Sequence, residues 1–540
     1  MNKVIFTLLC FLFLSFNAQA NTFDRVYSIL QTNCAQCHSN GGSATVSWDM
    51  GDSKATAYAS IFETTPNNQM AANAGYKMIE PGYSRRSYLF KKINTLDAGF
   101  QLHAEEGGLM PFYSNALADA EQEIIRQWIV NGAPLEGDVI NEQLIEDFYA
   151  GEGLPKLDPI DPPAEGEGFQ IYVEPYFLAP GDEVEYFKKH ELNLPENTDV
   201  TKLDIHMDEF SHHYIIYKFL DNEVAATYEK GRRVLTNILD IADSFVNTAF
   251  VSIWQYDLAH ELPYGTAYKW DSGDVIDLNY HVKNYSSTQI LGAEAYINVY
   301  TKPRSDERLE MVSDLIAYNI FDPFALVIEP GENTYEIEQF FIGSNTVRYF
   351  WTMQAHTHQL GTDYDIFHRN ADGSQGEQVY EGFYNSDYTE NIGFYDFEHP
   401  PVLKFNEFLP INMGEGLIHR AQYFNPGSTP VSFGLTTNDE MFITYYQYTE
   451  ELPPTDPTIN TTSIVKNSLQ LYPNPAQSSI NINLPIHQIA SVKVLNVSGQ
   501  LLIESSSNQL DINHLPSGIY NVETLDVKGN YYNSKFIKGK

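Results

Sequence analysis

His356 and His358 flank a single threonine, and much later the chain reads Asp439-Glu440-Met441. Residues i and i+2 of a strand share one face, so both imidazoles can reach one ion. Imidazole suits copper, and a thioether is a soft ligand that favours Cu(I). A His-His-Met set therefore predicts a redox copper site open to oxygen. A second set lies upstream, with His212-His213 in Phe210-Ser-His-His-Tyr-Ile-Ile-Tyr and His281 in Leu278-Asn-Tyr-His-Val. Both segments are rich in Ile, Tyr and Val and read as strands. Adjacent strand residues face opposite ways, so His212 and His213 can serve one ion only at a bulge or a strand end. Most of the other histidines, among them His206, His260, His399 and His419, are expected to be ordinary hydrogen-bonded side chains.

The second reactive pair is Cys34 and Cys37, in Asn33-Cys-Ala-Gln-Cys-His38. Cys-x-x-Cys-His is the attachment motif of c-type haem, with two thioethers to the porphyrin vinyls and His38 as an axial iron ligand. A thioredoxin-like pair would need a βαβ pattern around it, and none is present. Residues 21–140 resemble a small helical cytochrome c domain. Phe23–Thr32 predicts a helix carrying the motif, and Glu80-Pro-Gly-Tyr-Ser-Arg-Arg-Ser-Tyr-Leu resembles the Pro-Gly segment of bacterial haem domains. Gly107-Gly-Leu-Met-Pro111 resembles their axial-methionine loop, which makes Met110 the implied sixth ligand. Met70 and Met78 are competing thioethers, and His103 would give bis-histidine ligation. A further helix with Ile124, Ile125, Trp128 and Ile129 on one face is expected to end at Asn131-Gly132.

The order His-His, Tyr-His-Val, His-Thr-His, Asp-Glu-Met resembles the copper type II, ascorbate-dependent monooxygenases, which include the peptidylglycine α-hydroxylating and dopamine β-monooxygenases. The resemblance spans roughly residues 169–450 and rests on Ser211-His-His-Tyr-Ile-Ile-Tyr, Asn279-Tyr-His, Ala355-His-Thr-His-Gln-Leu-Gly and Thr437-Asn-Asp-Glu-Met. It implies two all-β, jelly-roll-like domains, each holding one of two copper ions per chain. His212, His213 and His281 would hold the electron-transfer copper. His356, His358 and Met441 would hold the copper at which oxygen is used on a C–H bond of a small organic substrate. A reductant, ascorbate-like or an external redox protein, would refill the site, and one covalent haem c would supply or relay the electrons.

Departures from the family narrow the substrate. Gln354 stands where peptide-amidating members carry an Arg, and Ile443 stands where they carry an Asn. Only Tyr445 matches their substrate-carboxylate clamp. Losing a guanidinium removes bidentate carboxylate recognition, so a glycine-extended peptide is a poor substrate candidate. Phe442 and Ala421 occupy the positions of a family disulfide, which points to apolar packing in its place.

Cys10, Cys34 and Cys37 are the only cysteines, so the exported chain has no disulfide framework. Cys10 lies in a leader: Lys3, an apolar run from Val4 to Phe16, then Ala18-Gln-Ala20, which reads as a secretory signal too short to span a bilayer. At 540 residues several domains are expected. A net charge of −39 argues against a nucleic-acid partner and for an acidic, soluble surface. Residues 141–168 and 451–465 are rich in Pro, Gly and acidic residues and read as linkers. Residues 466–540, with Leu471-Tyr-Pro-Asn-Pro, Ser491-Val-Lys-Val-Leu-Asn-Val-Ser-Gly-Gln and Leu515-Pro-Ser-Gly-Ile-Tyr, resemble the β-sandwich sorting domain of type IX secretion.

The expected chain is thus multidomain. Signal 1–20 precedes an all-α haem domain at 21–140, β-domains at 169–305 and 306–450, and a C-terminal β-sandwich. It would be exported through the periplasm to the surface or medium by the type IX machinery, with no membrane span in the mature protein. A haem–copper electron-transfer or copper-binding surface protein without oxygenase activity is the alternative.

Overall fold

The computed structural model describes residues 21–39, 48–51, 53–236, 246–254, 259–318, 325–382, 402–455, 467–468, 471–496, 501–527 and 531–539. The signal segment, most of the 451–465 linker and His399 lie outside the described residues, as does the side chain of His260. The protein is β-rich, with most of its helices ahead of the sheets and a short one, Asn222–Thr227, inside the first β-unit.

The first helix, Thr22–Cys34, starts where the Asn21 side chain accepts the Phe23 N–H at 3.1 Å, a standard N-cap. It runs two residues past the predicted Thr32. The N–H groups of Cys37 and His38 then bond the Cys34 carbonyl at 3.1 and 3.0 Å, so the Cys-x-x-Cys-His motif coils back on the helix end. Phe23, Val26, Ile29 and Leu30 are buried at helical spacing and meet the helix Asp119–Val130, where Trp128 stacks on Phe23 at 5.1 Å. That second helix stops at Asn131-Gly132, with Gly132 at φ 93°, as expected of a glycine past a helix end.

The expected linker from residue 141 begins instead as structure. Glu142–Asp147 is a helix and Phe148–Glu152 a wider turn, because Ile145 and Phe148 have apolar surface to bury. Phe148 packs edge-on against Phe177 at 5.1 Å. This segment closes the helical domain onto the first β-domain.

Residues 168–310 form two sheets. Edge to edge, one runs Arg233–Val234, Glu183–Glu191, Val275–Lys283, Ser211–Phe219, Thr248–Trp254. The other runs Gly168–Leu178, Leu291–Pro303, Thr198–Met207, Thr266–Trp270, Leu309–Glu310, with Ala259–Glu261 beside Thr198–Met207. Alternate residues such as Tyr186, Tyr214, Ile216, Val200 and Ile297 fill the space between them. Leu309–Glu310 pairs with this unit, so the boundary lies a few residues beyond the expected 305.

The second β-unit begins at Val312–Ala317. One of its sheets is ordered Val312–Ala317, Ile443–Thr449, Val347–His356, Val402–Asn412; the facing sheet is Gly331–Gln339, Leu417–Asn425, Gly361–Arg369, Gln375–Glu381. A buried apolar cluster welds the two units: Phe187, Ile215, Tyr217 and Ile253 from the first meet Met441, Ile443 and Tyr445 from the second. The C-terminal segment builds two smaller sheets around Ile480, Val492, Val494, Val522 and Phe536.

The helical domain docks on the first β-unit through buried polar contacts. Arg232 reaches Gln127 Oε1 at 2.7 Å and the Pro175 carbonyl at 2.8 Å. Ser84 donates to Glu174 at 2.6 Å, and the Glu191 N–H donates to the Tyr83 hydroxyl at 3.0 Å. The strand Glu183–Glu191 therefore touches the helical domain at its C-terminal end.

Candidate metal centre

Both predicted histidine sets converge in one place. Ligand atoms of His212, His213 and His281 all lie within 4.8 Å of one another, and so do those of His212, His356 and His358. His212 belongs to both groups. Its ring centroid is 4.9 Å from His356, 5.0 Å from His281, 5.2 Å from His213 and 5.6 Å from His358. The contact across the two β-units is as short as those within the first. The sequence had assigned one set to each domain; the sheets bring the two sets to their shared seam.

Local backbone explains how. Ser211 pairs with Val282 and His213 with His281, with a register shift between them. This is the bulge that adjacent histidines require, and it frees His212 from strict alternation. On the other side the strand Val347–His356 ends at His356, so His358 sits in the following turn and not on the strand as expected. The carboxylate of Glu440 shapes that turn: it accepts the N–H groups of His358 at 3.1 Å, Leu360 at 2.6 Å and Met441 at 3.1 Å. Burial pushes the Glu440 carboxyl up to about 8, against the pull of these three donors.

All five rings are buried, none more than 4% exposed. Burial, reinforced by the neighbouring rings, holds His212 and His356 far below the ordinary imidazole range and His358 at about 3. They are neutral, which is the ligating form. Outer nitrogens are anchored: His281 Nε2 donates to Glu183 Oε1 at 2.8 Å, His213 Nε2 lies 3.2 Å from Asn279 Oδ1 and 3.6 Å from Glu185 Oε1, and His358 Nδ1 lies 3.3 Å from the Asp439 carbonyl. Inner nitrogens are not. Nδ1 of His213 and His281 and Nε2 of His356 and His358 are buried without a hydrogen-bond partner among the described residues. Anchoring one ring nitrogen while the other faces inward is how metal-binding imidazoles are oriented. The donor set therefore fits copper.

Glu183 and Glu185 were missed in the sequence. The signal was there: two carboxylates at i and i+2 share a strand face, and that strand pairs with the one carrying Tyr280-His281. Burial alone would raise both carboxyls. The His281 hydrogen bond outweighs it and holds Glu183 at about 2, and His213 keeps Glu185 below the usual range.

Met441 is 5% exposed and lies in the apolar cluster at the seam, with Tyr445. The Tyr445 ring is 6.1 Å from His356, nearly perpendicular. Gln354 pairs directly with Tyr445 and His356 with Ile443, so the departures from the family's clamp lie on two adjacent strands beside the histidines. Phe442 points the other way, stacked on Tyr318 at 5.6 Å and edge-on to Tyr364 at 5.2 Å, in the same core as buried Ala421. Phe442 and Ala421 thus both belong to one buried apolar core. His419 is an ordinary core histidine, bonded to Thr444 and Gln339 at 3.1 Å each.

In the helical domain a cavity of about 340 Å³ is lined by Cys34, His38, Trp48, Met78, Lys92 and Met110, among others. His38 stacks on Trp48 at 4.6 Å, and its Nδ1 is buried without a hydrogen-bond partner among the described residues. Cys34 and Cys37 are unpaired thiols. His103 instead caps a short helical turn through the Glu105 N–H at 3.2 Å, and Met70 does not line the cavity. Cys34, His38 and Met110 on its walls fit the expected haem, while Cys37 is exposed and does not line the cavity.

Residues 470–539 match the model of the secretion system C-terminal sorting domain, within a few residues of the expected start. No curated protein matches the chain significantly. Among solved structures, the chain is similar to the major capsid protein P2 of bacteriophage PM2, at 8% identity over 52% of this chain and 98% of that one, with a TM-score of 0.22. It is also similar to the infectious bursal disease virus Gt strain structure (12% identity, 56% and 80% coverage, TM-score 0.13) and to that virus's VP2 subviral particle (12%, 55% and 80%, 0.14). Scores of this size give no ground for carrying fold or function across. The sorting tail marks the chain for export to the surface or medium. No helix among the described residues is long and apolar enough to cross a membrane.

Proposed function

We propose that this chain is an exported copper-dependent monooxygenase whose electrons enter through a fused c-type haem domain. The observation that carries the reading is the convergence of five buried histidines from two β-units, three of them (His213, His281 and His358) with one ring nitrogen anchored and the other buried without a hydrogen-bond partner among the described residues. Copper bound there would supply one-electron chemistry with O2. The balance is R–H + O2 + 2e⁻ + 2H⁺ → R–OH + H2O, with ascorbate-like reductant or a redox protein as the external electron source.

The chain's own residues supply position. Glu183, Glu185 and Asn279 fix the rings of His281 and His213. Glu440 ties the turn that carries His358 to the segment that carries Met441. Gln354, Ile443 and Tyr445 form the wall beside His356, and none is cationic. That wall favours a small organic substrate without a carboxylate. Strand Glu183–Glu191 joins the centre to the helical domain: Glu185 to His190 is five residues, about 17 Å of extended chain, and the His190 ring lies 5.8 Å from Tyr83 of the helical domain.

One observation favours the alternative of haem–copper electron transfer without oxygenation. The rings are no more than 4% exposed, so this arrangement is closed to a substrate. Oxygen uptake coupled to a hydroxylated product separates the two. Copper- and haem-loaded protein that is reduced and reoxidised by O2 without hydroxylating any member of a small-molecule panel would remove the monooxygenase reading.

A further inference from the structure

We infer that the cavity where the helical domain, residues 156–162 and the outer face of the first β-unit meet binds a small, uncharged, hydroxyl-rich ring molecule of the mono- or disaccharide class. The inference goes beyond the metal chemistry proposed above and does not depend on it. The cavity holds about 670 Å³, within the range of small-molecule sites, and such sites favour domain junctions. Arg85 and Arg126 line it from the helical domain, Leu157 and Ile160 from the connecting segment, and Tyr172 and Tyr296 from the sheet. Strand alternation puts them there: Ile171, Val173, Ala295 and Ile297 fill the core between the sheets, so Tyr172, Glu294 and Tyr296 face outward. The connecting segment is fastened over them. The Gln170 amide donates to the Ile160 carbonyl at 3.0 Å and the Asn298 amide to the Asp161 carbonyl at 2.8 Å.

The buried charges of this cavity are already matched. Arg85 grips Asp97 through two hydrogen bonds, at 2.7 and 2.9 Å, and lies 4.2 Å over the Tyr172 ring. Arg126 pairs with Glu123 and donates to the Tyr172 hydroxyl at 3.3 Å. That hydroxyl donates to Glu294 at 2.7 Å, and burial raises the Glu294 carboxyl. An ionic ligand would have to break one of these pairs to find a counter-charge, and burying it unpaired is costly. Hydroxyl groups need only donors and acceptors, which guanidinium, carboxyl and phenol groups supply. Tyr172, stacked on Tyr296 at 5.0 Å, and the half-buried Leu157 and Ile160 give the apolar surface that the C–H face of a sugar ring covers. Lys156, Asp158 and Asp161 stand exposed at the rim, where water screens them.

The test is calorimetric titration of the full chain with glucose, maltose and myo-inositol, and with gluconate and glucosamine as anionic and cationic counterparts. The expected result is saturable binding of at least one uncharged probe at one site per chain, with gluconate and glucosamine weaker by at least about tenfold. No saturable binding of the three uncharged probes at millimolar concentration would overturn the inference, and so would a charged counterpart that binds equally well or better. Ile160→Trp, checked for folding by circular dichroism and haem content, fills the cavity from its fastened edge and is expected to abolish the heat of binding. Unchanged affinity in that variant would put the sugar elsewhere and overturn the assignment. A ligand that touches all three parts stabilises their docked state, so the bound probe should raise the melting temperature of the parent more than that of Ile160→Trp. The variant also corrects for the general stabilisation that excluded sugars give any fold; an equal rise in both would count against the site.

Discussion

Glu183 holds Thr437 across the seam between the two β-units: the Thr437 N–H lies 2.9 Å from Oε1 and its hydroxyl 3.0 Å from Oε2. The same carboxylate takes the His281 N–H at 2.8 Å. Domain closure and imidazole orientation therefore depend on one side chain.

Glu183→Gln should disturb both. An amide accepts through one oxygen only, so one of the three donors loses its acceptor. Copper affinity is expected to fall about 10- to 100-fold, and stability by about 1–3 kcal/mol. Copper titration of the haem-loaded chain checks this; unchanged affinity would mean that Glu183 serves the seam alone.

Met441 and His213 should behave differently. Met441→His keeps a ligand but hardens it. It is expected to retain two coppers and lose most substrate-coupled oxygen consumption. His213→Ala is expected to lower copper content toward one per chain. A Met441 variant with full activity would leave that thioether as packing in the seam.

Haem attachment is expected to need both thiols. Cys34→Ala with Cys37→Ala should leave no haem that survives acid–acetone extraction. Met110→Ala should remove the weak long-wavelength band of iron–sulfur ligation. Persistence of that band would move the assignment to Met78, which lines the same cavity.

Phe442 carries packing that a disulfide would otherwise share. Phe442→Ala is expected to cost about 3–5 kcal/mol, read by denaturant unfolding. Reducing agents should leave the melting temperature unchanged. A drop on reduction would reveal a covalent cross-link where the structure has only apolar contact.

The docking of the helical domain should be acid-sensitive through Glu174. Burial would raise its carboxyl, but the Lys188 ammonium at 2.7 Å and the Ser84 hydroxyl at 2.6 Å hold it down at about 2, against a usual 4.5. A depressed carboxyl stabilises the fold above its unfolded value, and that contribution is lost as pH falls toward the folded one. The shift corresponds to something on the order of 3 kcal/mol. Glu174→Gln should be less stable than the parent at neutral pH, and the gap should narrow between pH 4.5 and 2. A gap independent of pH would assign the loss to shape and not to charge.

Much of this protein is legible locally. Cys34-x-x-Cys37-His38 is contiguous, and the helix that carries it follows from an Asn cap and apolar residues at helical spacing. Adjacency of His212 and His213 demanded the bulge that is found, whereas alternation misplaced His358, which lies past the end of its strand. The tail was readable because its strand and turn motifs are local as well. The linker at 141 was misread because its composition is polar, while its few apolar residues find partners only on the packed neighbours. The meeting of the two histidine sets could not be read. It depends on how two β-units pack at a seam, and on Glu183 reaching a threonine 254 positions away. Chain order gives the candidate histidines; only long-range packing decides that they stand at one centre.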